Sequence, residues 1–487
     1  MRRFVADLFT LSPFEFFVLR TRTRFPFRYG IASMTDVPHV FVRTQVVSGS
    51  RAAWGLTAEG LPPKWFTKNP ATTFEQDLPE LLASIVHAAD IAADVASQPV
   101  SFFDLWREVH RPQMAWAHAQ GLAPLVAELG VALVERAVLD GLCRLLSEPL
   151  HRMLSQNRLA LKLGEIYPDL ERLDPQTLLP EGPLESCFVR HTIGLGDALS
   201  PGELGAADRV NDGLPQDLET SIRAYGLRYF KIKLSGMPER DLPRLTDLAR
   251  ILDRETGGQF FVTVDGNENF ISFGEFQDLW DRIATRPALT ELCRRTIVVE
   301  QPVHRDRALL ESTREELSGW PDRPPLIIDE SDGAIGDVPR ALDLGYAGAS
   351  YKNCKGIVKG LANACLLAAR HRGGKPGVLT GEDLCNLGPI AVQQDLAMMA
   401  ILGIDHVERN GHHYYRGLSM FPRDWQDAVL RTHDDFYQRH ESGFPHLHIE
   451  DGRIRLASLN TAPFGVGPQL DVTSFAPLER TQLPRIS

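Results

Sequence analysis

The sequence is short of several things that would each point to a class of protein. Its six cysteines (Cys143, Cys187, Cys293, Cys354, Cys365 and Cys385) stand far apart with no CxxC pair. That spacing fits reduced thiols in the cytoplasm better than a disulfide framework or a structural zinc site. No run approaches the roughly 20 apolar residues of a membrane span. The basic start, MRRFVADLFTLSPFEFF, is interrupted by Asp7, Pro13 and Glu15, so no signal peptide is read there. Glycines show no GxGxxG or P-loop spacing, and neither repeats nor low-complexity tracts occur. Basic residues are outnumbered, 52 against 63 acidic, for a net charge of −11. That balance disfavours nucleic acid or an anionic membrane as a partner.

What is present is an ordinary core-forming composition, 43% hydrophobic over 487 residues, enough for a barrel with additions. FEFFVLRTRTRF and HVFVRTQVVSG read as strands of a hairpin or meander, with FRYGIASMTDVP as the loop between them. From Phe74 the pattern turns helical: QDLPELLASIVHAADIAADVA and LVAELGVALVERAVLDGLCRLLSEPLHRML carry apolar residues three and four apart. Residues 1–150 thus form an α+β domain. Residues 151–186 are proline-rich and aperiodic, an insertion or linker. Residues 187–440 alternate short apolar runs with helical stretches, and residues 441–487 are strand-and-turn material expected to return to the first domain.

Eight runs mark candidate strand tips: FVRHTIG, YFKIKL, FFVTVD, TIVVE, PLIIDE, GASYK, GVLTG and HVERN. Lys233, Asp265, Glu300, Asp329 and Lys352 follow one another at steps of 32, 35, 29 and 23 residues. A (β/α)8 barrel spends about 31 residues per unit, so residues at that pitch gather at one rim. The expected fold is α/β, a (β/α)8 barrel preceded by an α+β domain.

Lys231 and Lys233 lie two apart on one strand and face the same way. Two crowded ammonium groups should lower at least one pKa, leaving a lysine able to accept a proton. The plainer alternative is a surface strand with solvated lysines. Asp265, Glu300 and Asp329 offer oxygen-only ligands to a hard cation, and Asn267 shares the face of Asp265. A single aspartate after a strand is more often a helix cap; three in step argue otherwise. Either Asp329 or Glu330 could face inward. Lys352 closes the set from the opposite wall, with Lys355 a turn beyond. His371 falls at the far end of the barrel, and His412 and His413 read as exposed loop residues. Cys354 and Cys385 have no evident histidine partner for nucleophilic work.

Together these motifs resemble the enolase superfamily, in its mandelate racemase/muconate-lactonizing-enzyme branch. FPFRYG is similar to the substrate-capping segment, KIK to the second-strand lysine motif, and VDGN, VEQP and DES to those of the third to fifth strands. YKNCKG is similar to the sixth-strand lysine motif. The resemblance implies Mg2+ on Asp265, Glu300 and Asp329, selecting Asp329 over Glu330, with Lys233 and Lys352 as acid/base pair and Lys231 tuning Lys233. It implies a modified TIM barrel with an N-terminal α+β capping domain, and abstraction of the α-proton of a small carboxylate substrate through an enediolate. It does not choose among the reactions that share this step; racemisation or epimerisation is placed first. A cycloisomerase, a syn-eliminating dehydratase, an acid-sugar dehydratase and a non-catalytic binding protein are the alternatives. A cytoplasmic homo-oligomer is expected. The chain departs from the pattern in its length, in Gly356 being followed by Ile357, and in LTGEDLCNLGP at the seventh strand.

Overall fold

The computed structural model describes residues 7–173 and 175–478. Residues 1–6, at which the reading of the leader begins, and 479–487 of the expected returning tail lie outside the described residues, as does Asp174.

The N-terminal sheet is built on three antiparallel strands, Glu15–Tyr29, Ala32–Ser48 and Arg51–Gly60. The expected loop FRYGIASMTDVP is not a loop. Pairing runs through to Tyr29 and Ala32, leaving only Gly30 and Ile31 to turn, with Gly30 at φ +48°. Packing explains the extension: Phe25 and Phe27 stand 5.2 and 4.4 Å from Tyr414 of the barrel domain, centroid to centroid. Three helices, Phe74–Val95, Phe102–Ala119 and Pro124–Leu146, complete the cap. The expected run into LSEPLHRML is cut after Leu146, where Ser147 turns left-handed at φ 52° and Pro149 lacks a donor; Leu150–Ser155 starts a new helix.

Among the described residues, eight parallel strands close the barrel. They are β1 (Ser186–Ile193), β2 (Tyr229–Lys233), β3 (Phe261–Asp265), β4 (Thr296–Glu300), β5 (Leu326–Ile328), β6 (Gly348–Tyr351), β7 (Val378–Gly381) and β8 (His406–Arg409). β8 pairs with β1, so the sheet has no open edge there. The proline-rich segment before β1 packs on the barrel flank, where the Tyr167 hydroxyl lies 2.7 Å from Ile335 O and 2.6 Å from Asn363 Oδ1. Beyond the barrel, Arg453–Arg455 adds antiparallel to β1, and Ala476–Pro477 then pairs with Phe17 and Val18 of the cap. Among the described residues no helix is long and apolar enough to cross a membrane.

Two contacts fix how the cap is held. Helix Pro124–Leu146 crosses strand Arg51–Gly60 where glycine meets glycine: a Cβ on Gly55 would stand 2.0 Å from Ala137 O and 2.5 Å from Gly141 N. Glu135 on the same helix reaches into the barrel and accepts from Ile357 N at 2.6 Å and Val358 N at 3.0 Å. It thereby caps helix Ile357–Arg372 from another domain. Burial pushes the Glu135 carboxyl up from 4.5 to about 7 despite those donors.

Gly55→Ala should cost about 1–3 kcal/mol or more, because the atoms it strikes are backbone and cannot rotate away. Gly182→Ala, where nothing lies within 4 Å, should be near neutral. Urea midpoints of the two variants check the difference. Glu135 also gives a pH signature. Between pH 4.5 and about 7 the unfolded chain releases a proton that the folded chain keeps, so stability falls as pH rises. Over that window the native protein should lose up to about 3 kcal/mol more than Glu135→Gln, levelling off above it, in urea titrations at stepped pH.

Candidate active site

The barrel pairing itself assembles the charged rim. Lys233 is the Cα partner of Asp265, and Asp265 of Glu300, so the tips of β2, β3 and β4 stand in one row. Asp329 and Lys352 are the first residues beyond β5 and β6. Glu300 pairs with Ile327, and Asp329 lies two residues on, on the same inward face. All six ionisable side chains expected here, Lys231 included, are buried.

Lys231 is the hub. Its Nζ lies 2.9 Å from Asp265 Oδ2, 2.7 Å from Glu300 Oε2, 2.7 Å from Glu382 Oε2 and 3.1 Å from Glu408 Oε2. Lys233 Nζ donates to Asp265 Oδ2 at 2.6 Å. Across the barrel, Lys352 Nζ donates to Asp329 Oδ2 at 2.5 Å and Lys355 Nζ lies 2.8 Å from Asp329 Oδ1. Lys355, one turn beyond Lys352, thus stands behind Asp329 as a second cation on the same carboxylate.

Burial alone would lower Lys231, but Asp265, Glu300, Glu382 and Glu408 hold it well above its ordinary value. The neighbouring lysine does not decide its state; four carboxylates do. Lys352 is likewise raised, burial being outweighed by Asp329. Asp329 is held well below the usual carboxylate range, because Lys352, Lys355 and Lys231 outweigh its burial. Glu300 moves the other way, driven up by burial and then by Asp265 and Glu382.

Glu382 and Glu408 are not among the residues singled out from the sequence, although Glu408 lies in the run HVERN and Glu382 directly follows the run GVLTG. Glu382 follows β7 and Glu408 lies in β8. Each is braced from β1: Arg190 pairs with Glu382, and Thr192 Oγ1 donates to Glu408 at 2.5 Å. Asn267 acts through its backbone, donating its N–H to Asp265 Oδ1 at 2.7 Å from a left-handed turn at φ 44°. Its amide Nδ2 reaches Glu330 Oε1 at 3.4 Å, so Glu330 faces this turn. Burial and the adjacent Asp329 push Glu330 up to about 7.

Phe27, Tyr29, Pro62 and Trp65 of the cap roof a small cavity shared by Lys231, Lys233, Asn267, Asp329 and Lys352. The histidines stand apart from it. His412 and His413 are buried, contrary to the exposed-loop expectation, and His412 Nε2 lies 3.0 Å from His191 Nδ1. His371 is exposed in the last turn of its helix. Burial raises the Cys354 and Cys385 thiols well above their ordinary value, so neither is an activated nucleophile.

The acids suit a divalent cation in kind. Asp265, Glu300 and Asp329 are hard oxygen donors, and Glu300 Oε1 is buried with no partner. Glu300 Oε2, although 2.7 Å from Lys231 Nζ, lacks hydrogen-bond alignment with it. Among the described residues, no three His, Cys, Asp or Glu side chains stand preformed as a metal cluster. Lys231 and Lys233 instead lie against the acids as counter-ions. The donors fit the ion; their separation requires the amines to give way.

No family model and no curated protein matches the chain. Solved structures do. A mandelate racemase/muconate lactonizing enzyme from Bordetella bronchiseptica is 16% identical and aligns over 96% of this chain and 98% of its own, with a TM-score of 0.57. The chain has the mandelate racemase/muconate lactonizing fold. A muconate lactonizing enzyme from Pseudomonas fluorescens, solved with muconolactone, is 16% identical over 92% of this chain and 94% of its own, TM-score 0.53. An enolase from Bradyrhizobium, solved with magnesium and mandelic acid, is 13% identical over 93% and 94%, TM-score 0.53. At such identities the mandelate racemase/muconate lactonizing likeness speaks for architecture, and the chemistry has to be argued from the rim.

Lys231→Met removes the one cation shared by four buried carboxylates. It should cost about 3–5 kcal/mol, the scale for breaking a buried ion pair. Chemical denaturation in the presence of a chelator measures this, and a loss below about 1 kcal/mol would discount the hub.

Proposed function

We propose that the protein is an enolase-superfamily enzyme that removes the α-proton of a small carboxylate substrate, working as a racemase or epimerase. The observation that carries this is the placement of two amines on opposite walls of one roofed cavity, Lys233 from β2 and Lys352 beyond β6. Inverting a carbon centre needs a group that takes the proton from one face and another that delivers it to the other. Lys233 and Lys352 are that pair, each oriented by its own carboxylate, Asp265 or Asp329. Lys231 serves as a fixed cation, because four acids hold its proton, whereas Lys352 donates to Asp329, a carboxylate that a bound Mg2+ would draw away from it.

Asp265, Glu300 and Asp329 are the residues that would hold Mg2+. Bound there, the ion supplies positive charge where negative charge develops on the substrate carboxylate. The cap residues exclude water, so Lys233 and Lys352 exchange protons with the substrate and not with solvent. The tip of β7 offers Glu382, tied to Lys231 and Arg190, and no histidine acid, which disfavours an acid-sugar dehydratase. The free state of all six cysteines suits a reducing cytoplasm.

The test is deuterium exchange at Cα, followed by NMR in D2O with Mg2+, over dipeptides, N-acylamino acids and hydroxy acids. Exchange with formation of the opposite configuration is expected, stopping when EDTA removes the ion. Lys233→Ala and Lys352→Ala should each lower it by about 10²–10⁴-fold. Exchange from neither configuration across the panel overturns the proposal in favour of a binding protein, and a cyclised or dehydrated product reassigns the reaction.

A further inference from the structure

Helix Pro63–Thr67 has only five residues, too few to be stable alone, and its final carbonyls have no partner within the helix. Arg305, from the segment after β4, supplies the missing donors. Its Nη2 donates to Trp65 O at 2.9 Å and its Nη1 to Phe66 O at 2.7 Å. A guanidinium also suits the negative end of a helix. Glu268 aims the fork: it accepts from Arg305 Nε, Nη2 and backbone N, each at 2.8 Å. Lys68, which ends the helix at φ 52°, donates to Asn267 O at 2.5 Å and stands 3.5 Å from Glu268 Oε2. Cap and barrel are thus clamped at one point.

The clamp holds Trp65. Lys352 Nζ lies 4.2 Å from the centroid of its ring, gripped between Asp329 on one side and the indole on the other. The ring attracts the ammonium through its face and claims no single N–H direction. The amine is therefore held in place with donors still free to turn toward the cavity. Among the described residues, no ring faces Lys233 in this way.

We propose that Trp65 is the positioning residue for Lys352 and that Arg305 and Glu268 act through it. The inference rests on reading Lys352 as one of two proton carriers, and it makes the carriers unequal: disturbing the clamp impairs one of them more than the other. A structural role alone would weaken both alike.

Two measurements decide it. In protein labelled with 13C at the lysine ε-carbon, the Lys352 signal is identified by its loss in Lys352→Arg. A ring-current shift upfield is expected, abolished in Trp65→Leu and Arg305→Ala and partly kept in Trp65→Phe. Arg305→Lys, which keeps the charge but not the fork, replaces Arg305→Ala if that variant does not fold, with the shift reduced. A Lys352 signal unmoved by the Arg305 variant overturns the clamp. In the exchange assay, the configuration whose exchange disappears in Lys352→Ala should slow at least about tenfold in Trp65→Leu, as misplacement of a reacting group does. The opposite configuration, which loses only the share of the roof that Trp65 provides, should slow several-fold less; equal slowing of both overturns the positioning role. If the native protein exchanges neither, the proposed function falls, and the NMR shift still judges the clamp.

Discussion

Lys231 stands among Asp265, Glu300, Glu382 and Glu408 in a space from which water is nearly excluded, and the rest of the rim answers to that arrangement. A buried carboxylate without a counter-charge costs several kcal/mol, so the acids gathered here are tolerable only if their cations are placed to within an ångström or so. The barrel supplies such placement, because each acid comes from a different strand in a register that cannot slip without turning every neighbour outward. Arg190 and Thr192 on β1 complete the balance behind Glu382 and Glu408. The opposite shifts of Glu300 and Asp329 follow from the same arithmetic: Asp329 has two lysines of its own, and Glu300 has a quarter of one.

The cap makes that balance count. An open barrel mouth would bathe the rim in water and screen its charges. The hairpin bearing Phe27 and Tyr29 and the short helix bearing Trp65 close it, so each interaction acts at low effective dielectric. A roof of this kind has to be rigid relative to the barrel. The reach of Glu135 to Ile357 and the fork of Arg305 on Trp65 and Phe66 tie cap to barrel at two separated points, and the close contact of Gly55 with Gly141 holds the cap's own helix to its sheet. Fold stability and site geometry are therefore carried by some of the same contacts.

Much of the site was legible because its logic is local. An apolar run ending in an ionisable residue, repeated at the pitch of a strand and helix, names both the strand and the end on which the residue sits. Glu408 obeys the same rule at β8, whereas Glu382 stands one residue beyond a run that ends in glycine and carries a weaker signal. The hairpin was misread because FRYGIASMTDVP looks like a loop until Tyr414, nearly four hundred residues on, packs against it. Trp65 carried no signal at all. Its helix is too short to show a period, and its placement depends on Arg305, 240 residues away.

Strand alternation and the recurrence of charged tips, properties of residues a few positions apart, were enough by themselves to name a barrel behind an α+β domain and to choose the face on which its ionisable side chains lie. Which charges meet was decided only by the closed fold. The state of Lys231, the partner of Lys352 and the water-free roof each depend on distances between groups from separate strands and domains. Coulomb energy depends on those distances and not on separation along the chain.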